Sequence, residues 1–427
     1  MEPSTVTNCK LLLIVEGNTP LVGNVALSGY KHSSVVLVNA ALLCRGVSRI
    51  SNLPFIQDVS LLLEMAKALG CGVHSGANVV EIGAGNLTAN ASLDEWATAV
   101  HGSLYLIPVL IARVGRVRLF KPGGCQIGER PVEHVISSLE AMGARRVERN
   151  GETWLEAPDG LRGATFDLTN IHPREHSGRT KTALLAGALA RGDTQILSPF
   201  RGQEIEDLCN FLVRCGTPIS RNENAIVISG RLELRGNDYT IPGDFLEFAT
   251  LACAVQSAGG VVHIEPSPPQ KYFTEEMRLL RNCGLDIEQG KSIATITSSQ
   301  AYPVRFACPP IYSDLQPIVT AVLWQAVGMS IIRDNVWPNR FDHVEGLRRL
   351  GAKIERKGNM VRVVGPSLLY GAEVHANDLR SAAALLVAAL GAAGTSRLKG
   401  AEHLSRGYCD LPGKLRALGA SIKEVRG

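Results

Sequence analysis

Residues 61–73 read LLLEMAKALGCGV: an apolar-periodic helix, a glycine at position 70, then the start of a β-leaning run. The same pattern returns five times, as SLEAMGARRV (138–147), CNFLVRCGTPI (209–219), MRLLRNCGLDI (277–287), EGLRRLGAKI (345–354) and KLRALGASI (414–422). The glycines are Gly70, Gly143, Gly216, Gly284, Gly351 and Gly419, spaced 73, 73, 68, 67 and 68 residues apart. Glycine directly after a helix suits the left-handed residue that ends it, where a Cβ carries a steric cost. A fixed period of this kind marks a chain built from repeats.

Each repeat also holds a second helix that is apolar nearly all round. These runs are SSVVLVNAALLCRG (33–46), ATAVHGSLYLIPVLIARVG (97–115), RTKTALLAGALARG (179–192), FATLACAVQSAGG (248–260), LQPIVTAVLWQAVG (315–328) and LRSAAALLVAALGAAG (379–394). Such a helix is expected inside its unit rather than on the surface. Runs such as RVRLF (116–120), AIVISG (225–230) and NMVRVVG (359–365) read as strands. The fold class is therefore α/β, six repeats of about 70 residues arranged as two domains of three. The stretch GNDYTIPGDF (236–245) reads as a crossover, and LLLIVEG (11–17) precedes the first buried helix by many residues. The expected domains are 29–240, and a discontinuous one of 1–28 with 241–427.

Composition bounds the function. The 427 residues are 45% hydrophobic and 20% charged, with a net charge of +4 and no basic tail. Nucleic acid is not an expected partner, whereas small anions are. Ten cysteines lie far apart without a CxxC pair, which points to a reducing compartment rather than a disulfide scaffold. The amino-terminal run lacks a basic segment and a cleavage pattern, and the apolar runs are too short to span a membrane. A cytoplasmic protein without membrane contact is expected. No cluster has metal-ligand spacing, so neither a metal nor an organic cofactor is expected.

The sharpest local feature is KPGGCQIGERPVEH (121–134), a glycine-rich loop around Cys125 with Lys121, Arg130 and His134 nearby. Basic neighbours favour the thiolate, so Cys125 reads either as a reactive thiol on a mobile lid or as an inert loop cysteine. Cations also recur at element edges: Lys31 in SGYKHSS, Arg340 in PNRFDH, Arg380 in NDLRSA and Arg406 in SRGYCD. Each alone reads as a solvated charge, and together they suit one anionic ligand. Asp314 in PPIYSDLQPI and Asp244 in PGDFLEF read as helix N-caps, or as acids whose work the sequence alone does not reveal.

These stretches carry a resemblance that covers essentially the whole chain. SGYKHSS, PGGCQIGERPV, SDLQ, NRFDH, NDLRSA and RGY followed by KLRALGA resemble the enolpyruvyl transferase family, especially its branch acting on UDP-N-acetylglucosamine. The resemblance implies two inverse α/β barrels, and transfer of the enolpyruvyl group of phosphoenolpyruvate to a hydroxyl with release of phosphate. It implies that Lys31, Arg130 and Arg406 hold the donor's phosphate while Arg340 and Arg380 lie near its carboxylate. Asp314 would take the proton from the acceptor hydroxyl. Cys125 would be the lid cysteine, working around proton transfer and product release and open to fosfomycin-type epoxides. Arg130, Pro131 and Val132 would lie along the uracil of a uridine nucleotide.

The chain departs from that family at the acceptor. After the lysine the family has asparagine, here His32, and an arginine of the family is replaced by His101. The stretch PREHSGRTKTALL (173–185), whose Ser177, Gly178 and Arg179 would line the acceptor's phosphates, gains Arg174, His176, Arg179 and Lys181. These changes read either as drift on a helix face or as a changed acceptor with a more exposed phosphate. The expected acceptor is a UMP-type nucleotide, as in relatives serving nucleoside-antibiotic pathways. The alternative is UDP-N-acetylglucosamine in peptidoglycan synthesis, and a remoter one is an inactive nucleotide-binding paralogue.

Overall fold

The computed structural model describes residues 10–76, 78–89, 92–124 and 132–426. Cys125, Arg130 and Pro131 lie outside these residues. The chain divides into two compact units, one of residues 10–28 and 242–426, the other of residues 29–124 and 132–241.

Each unit contains three small sheets among its described residues. In the five four-stranded sheets one edge strand runs parallel to its neighbour and the other pairings are antiparallel. Strand Leu11–Glu16 lies between Thr395–Lys399 and Ser421–Arg426, antiparallel to both, with Leu13 opposite Leu398 and Glu424. The first residues described thus share a sheet with the last.

The six repeat glycines all take positive φ, from 91° at Gly70 to 109° at Gly351. That conformation ends each amphipathic helix and turns the chain into its strand. The apolar helices are inside, as the all-round pattern requires. Every residue of Leu379–Leu390 is buried, and so is every residue of Phe245–Ala258 except its last.

Two of these helices are shorter than the sequence suggests. In the run 97–115, Ala97 ends a short helix, Asp94–Ala97, a 3-10 turn follows at His101–Tyr105, and the long α-helix covers only Leu106–Val114. Pro108 has no N–H to give the preceding turn, so the α-helix begins around it. The run 315–328 is α-helical only over Gln316–Thr320, followed by a 3-10 turn at Leu323–Gln325. Its β-branched Ile318, Val319, Thr320 and Val322 are weak helix formers. No helix among the described residues is long and apolar enough to cross a membrane.

Candidate functional site

A fully buried arginine needs partners, and Arg380 has them. Asp378 caps the helix Leu379–Leu390, its Oδ1 accepting from the backbone N–H of Arg380 at 2.9 Å and of Ser381 at 3.2 Å. The capped first turn fixes the origin of the Arg380 side chain, which is 1% exposed. Its Nε and Nη2 donate to Asp314 Oδ2 at 3.2 and 3.1 Å, and its Nη1 donates to the Tyr408 hydroxyl at 2.8 Å. Arg340 Nη1 donates to the other oxygen, Asp314 Oδ1. One carboxylate therefore carries two guanidiniums. Burial works against the charge on both arginines, but neighbouring anions, Asp314 among them, outweigh it and raise both pKa values.

Asp314 is not a helix N-cap. It sits inside the 3-10 turn Ser313–Leu315, whose preceding residue is Tyr312, and its side chain is turned to the arginines. Two buried acids hold that turn. Glu276 accepts from the backbone N–H of Tyr312 at 3.0 Å, and Asp334 Oδ2 accepts from the Ser313 hydroxyl at 2.6 Å. The other oxygen of Asp334 accepts from the N–H groups of Val336 and Trp337, which begin the loop to Arg340. Asp334 thus ties the segment bearing the acid to the segment bearing its arginine. Burial pushes the pKa of both Glu276 and Asp334 up. Asp244, by contrast, caps Phe245–Ala258 through Leu246 and Glu247.

Arg340 retains donor capacity. Its Nε is buried with no hydrogen-bond partner among the described residues, a state that an added acceptor would relieve. Arg406 ends the 3-10 turn Ala401–Arg406, two residues before Tyr408, and is half-buried.

In the other unit, Lys31 opens the helix Lys31–Ala41, which has no side-chain N-cap. Its Nζ lies 2.9 Å from Asp58 Oδ2, with both side chains largely buried. His32 is half-buried, its ring centroid 5.5 Å from that of Tyr30. His101 is half-buried at the start of its 3-10 turn, and Val132 immediately precedes the helix Glu133–Ala141.

The basic stretch on the helix Pro173–Gly187 is more internally committed than its sequence suggests. Lys181 is buried 3.3 Å from Glu204, and its ammonium lies 5.4 Å from the Tyr105 ring centroid. Arg179 pairs with Glu175 at 3.0 Å and reaches the hydroxyls of Ser137 and Ser138 at 3.3 and 3.4 Å. A ring nitrogen of His176 bonds the Ser198 carbonyl at 2.7 Å. Gly178 is buried, and a Cβ there would stand 2.3 Å from His134 Nε2, so the glycine allows two helices to approach. Ser177, beside it, is half-buried.

Of the residues singled out in the sequence, Asp314, Arg340 and Arg380 are therefore brought together, and Lys31 has a separate partner in Asp58. Sequence reasoning passed over Tyr408, Asp334 and Asp58. Tyr408 stands in the quoted RGY motif and Asp58 in the first turn of an amphipathic helix, whereas Asp334 carries no motif.

The chain matches the family described as EPSP synthase (3-phosphoshikimate 1-carboxyvinyltransferase) over residues 15–415. It is 34% identical to UDP-N-acetylglucosamine 1-carboxyvinyltransferase 2 of Clostridium acetobutylicum, covering 97% of this chain and 99% of the relative. It is 33% identical to UDP-N-acetylglucosamine 1-carboxyvinyltransferase of Coprothermobacter proteolyticus, with 97% of each covered. Among solved structures, the enolpyruvyl transferase NikO from Streptomyces tendae superposes with a TM-score of 0.90 at 31% identity, over 98% of this chain and all of that one. EPSP synthase from Acinetobacter baumannii shares the fold, with a TM-score of 0.76 at 18% identity, over 97% of this chain and all of that one.

Proposed function

The chain belongs to the EPSP synthase family of enolpyruvyl (carboxyvinyl) transferases, and from that premise we propose that it transfers the enolpyruvyl group of phosphoenolpyruvate to a sugar hydroxyl of a uridine nucleotide. The observation that carries this reading is the Asp314 cluster: an acid held by two arginines, one with a buried N–H that lacks an acceptor among the described residues. Two guanidinium forks meet on the one Asp314 carboxylate, and such forks suit the carboxylate of an anionic substrate.

In this reading Arg340 and Arg380 bind the donor's carboxylate, while Lys31, Arg130 and Arg406 bind its phosphate. Asp314 takes the proton of the acceptor hydroxyl as its oxygen attacks C2 of the donor and a proton is added at C3. Loss of a C3 proton and cleavage of the C2–O bond to phosphate then give the enolpyruvyl ether. Both oxygens of Asp314 engage guanidiniums through three N–H donors where a carboxylate accepts about four, so loosening one contact eases its work as a base. The donor's carboxylate is an anion that competes for that contact. Cys125 serves proton transfer and product release.

For the acceptor we propose a UMP-type nucleotide, its uracil along Arg130, Pro131 and Val132, with Ser177, Gly178 and Arg179 toward its phosphate. Support comes from His32, which stands where the family has an asparagine touching the acceptor sugar, and from His101, which stands where it has an arginine. Lys181, committed to Glu204, adds nothing to the argument. A second reading, UDP-N-acetylglucosamine, is favoured by the names of the relatives at 33–34% identity. Phosphate release from phosphoenolpyruvate with each nucleotide, and the product masses, test both. The expected result is a higher kcat/KM with UMP. Efficient turnover of UDP-N-acetylglucosamine with UMP inert replaces the acceptor, and no phosphate release with either removes the proposal. In the same assay Arg340→Ala is expected to lower kcat/KM for phosphoenolpyruvate by roughly 10- to 150-fold, one charge-assisted contact.

A further inference from the structure

We infer that Tyr408 is a positioning residue, which holds the Arg380 guanidinium in the orientation that receives the donor's carboxylate. The inference rests on the proposed role of Arg380. It comes from a chain of buried hydrogen bonds whose direction follows from counting protons. Thr250 Oγ1 lies 2.7 Å from the Leu246 carbonyl and 2.8 Å from the Tyr408 hydroxyl. A carbonyl can only accept, so the single hydroxyl proton of Thr250 goes to Leu246, and Tyr408 must donate to Thr250. With its proton spent, the Tyr408 oxygen accepts from Arg380 Nη1 at 2.8 Å. The chain therefore runs from Arg380 through Tyr408 and Thr250 to the backbone of the helix Phe245–Ala258.

All three side chains are at most 3% exposed, so water does not replace a missing link. The ring of Tyr408 adds a second restraint, with the guanidinium carbon 5.3 Å from its centroid. The consequence is geometric. Arg380 has an acceptor behind it as well as Asp314 in front, and the hydroxyl keeps Nη1 from swinging onto the same carboxylate. Without it, the fork closes further on Asp314, and the donor must compete with a tighter internal pair.

The test uses the full chain and steady-state phosphate release, varying phosphoenolpyruvate and nucleotide separately. Tyr408→Phe is expected to raise KM for phosphoenolpyruvate about tenfold, with KM for the nucleotide within about twofold, because one buried bond to a charged group is lost. Thr250→Val, which removes the next link, is expected to shift the same constant in the same direction, and Thr250→Ser to restore it. The double variant should be no worse than Tyr408→Phe alone, because both act through one chain. If Tyr408→Phe does not fold, the two Thr250 variants carry the test. Arg380→Ala separates the two layers of the argument. Unchanged KM for phosphoenolpyruvate in Arg380→Ala overturns the role of Arg380 itself. A raised KM there, with Tyr408→Phe and Thr250→Val at the wild-type value, overturns the inference alone. An equal rise for both substrates, accompanied by a lower Tm, also overturns it, because that is the signature of general structural damage.

Discussion

Two carboxylates, one in each unit, are solvated in opposite ways. Asp207, 2% exposed, accepts from the Ser33 hydroxyl, and from Gln203 Nε2 and the Tyr239 hydroxyl at 2.8 Å each. Every donor is neutral, and burial pushes its pKa up to about 6 against the pull of those bonds. Asp314 has a partly exposed side chain and two arginines. An acid ringed by neutral donors fastens helices together, here Lys31–Ala41 to Gln203–Arg214. An acid under two cations gathers two guanidinium forks at one place, and those forks are what an anionic substrate can use. The chemical type of the donors, more than burial itself, separates the helix-fastening Asp207 from the proposed base Asp314.

The largest expected effect breaks this comparison most directly. Asp314→Asn keeps the shape but removes the proposed proton acceptor and turns an amide toward two guanidiniums. Its kcat should fall by about 10²- to 10⁴-fold, the range for losing a positioned acid or base. Asp207→Asn should stay within about threefold of wild type in kcat while its Tm shifts. Phosphate release and thermal melts on both variants decide the matter. The reverse ranking would sink the distinction.

How much of this was legible in the sequence differs between fold and site. The repeat was readable because its marker is local: six glycines after six helices, each needing a positive φ that other residues resist. The buried helices were readable for the same reason, since LRSAAALLVAALG has no polar face to show to water. The site was readable only residue by residue. Asp314 and Arg340 come from one repeat and Arg380 from the next, and no periodicity reports that their side chains meet. Asp314 and Asp378 both stand just before apolar runs, yet only Asp378 caps a helix. The difference lies in the Glu276 and Asp334 contacts that hold the Asp314 turn, and these are long-range. Lys181 shows the opposite failure. Its flanks in TKTALLAG are those of a buried helix, so its charge faces Glu204.

The pH dependence of stability sharpens the same contrast. His343 is 1% exposed, and burial pushes its pKa down to about 4. Between there and the ordinary value of about 6.5, the unfolded chain binds a proton that the folded one refuses. His343 therefore costs stability as pH falls through that window, on the order of 3 kcal/mol in total. Asp207 has the opposite sign. Its folded pKa, about 6, lies above the unfolded value, so its contribution is present at acid pH and lost as pH rises from about 4 through 6. Relative to wild type, His343→Gln should make Tm rise less steeply with pH between 4.5 and 6.5, and Asp207→Asn should make it rise more steeply. Slopes equal to that of wild type in both variants would show that neither group titrates as its surroundings indicate.

The smallest expected effects concern the repeat glycines, which differ from one position to the next. Gly284 and Gly143 hold the same post-helical position at φ 96° and 101°. A Cβ at Gly284 would stand 2.6 Å from Gln256 Nε2, 2.8 Å from the Ser299 carbonyl oxygen and 2.9 Å from the Ala301 nitrogen. Two of those atoms are backbone and cannot rotate away. A Cβ at Gly143 would meet nothing within 4 Å. Gly143→Ala therefore isolates the cost of the backbone conformation, about 1–2 kcal/mol. For a unit of this size each kcal/mol lowers Tm by about 2–4 °C. Gly284→Ala adds a steric collision to that cost and should lower Tm further. Neither residue touches the Asp314 cluster, so KM for phosphoenolpyruvate should stay at the wild-type value in both. Equal losses of Tm at the two positions would mean that the strand beyond Gly284 yields to the added methyl, leaving only the φ cost that the two glycines share.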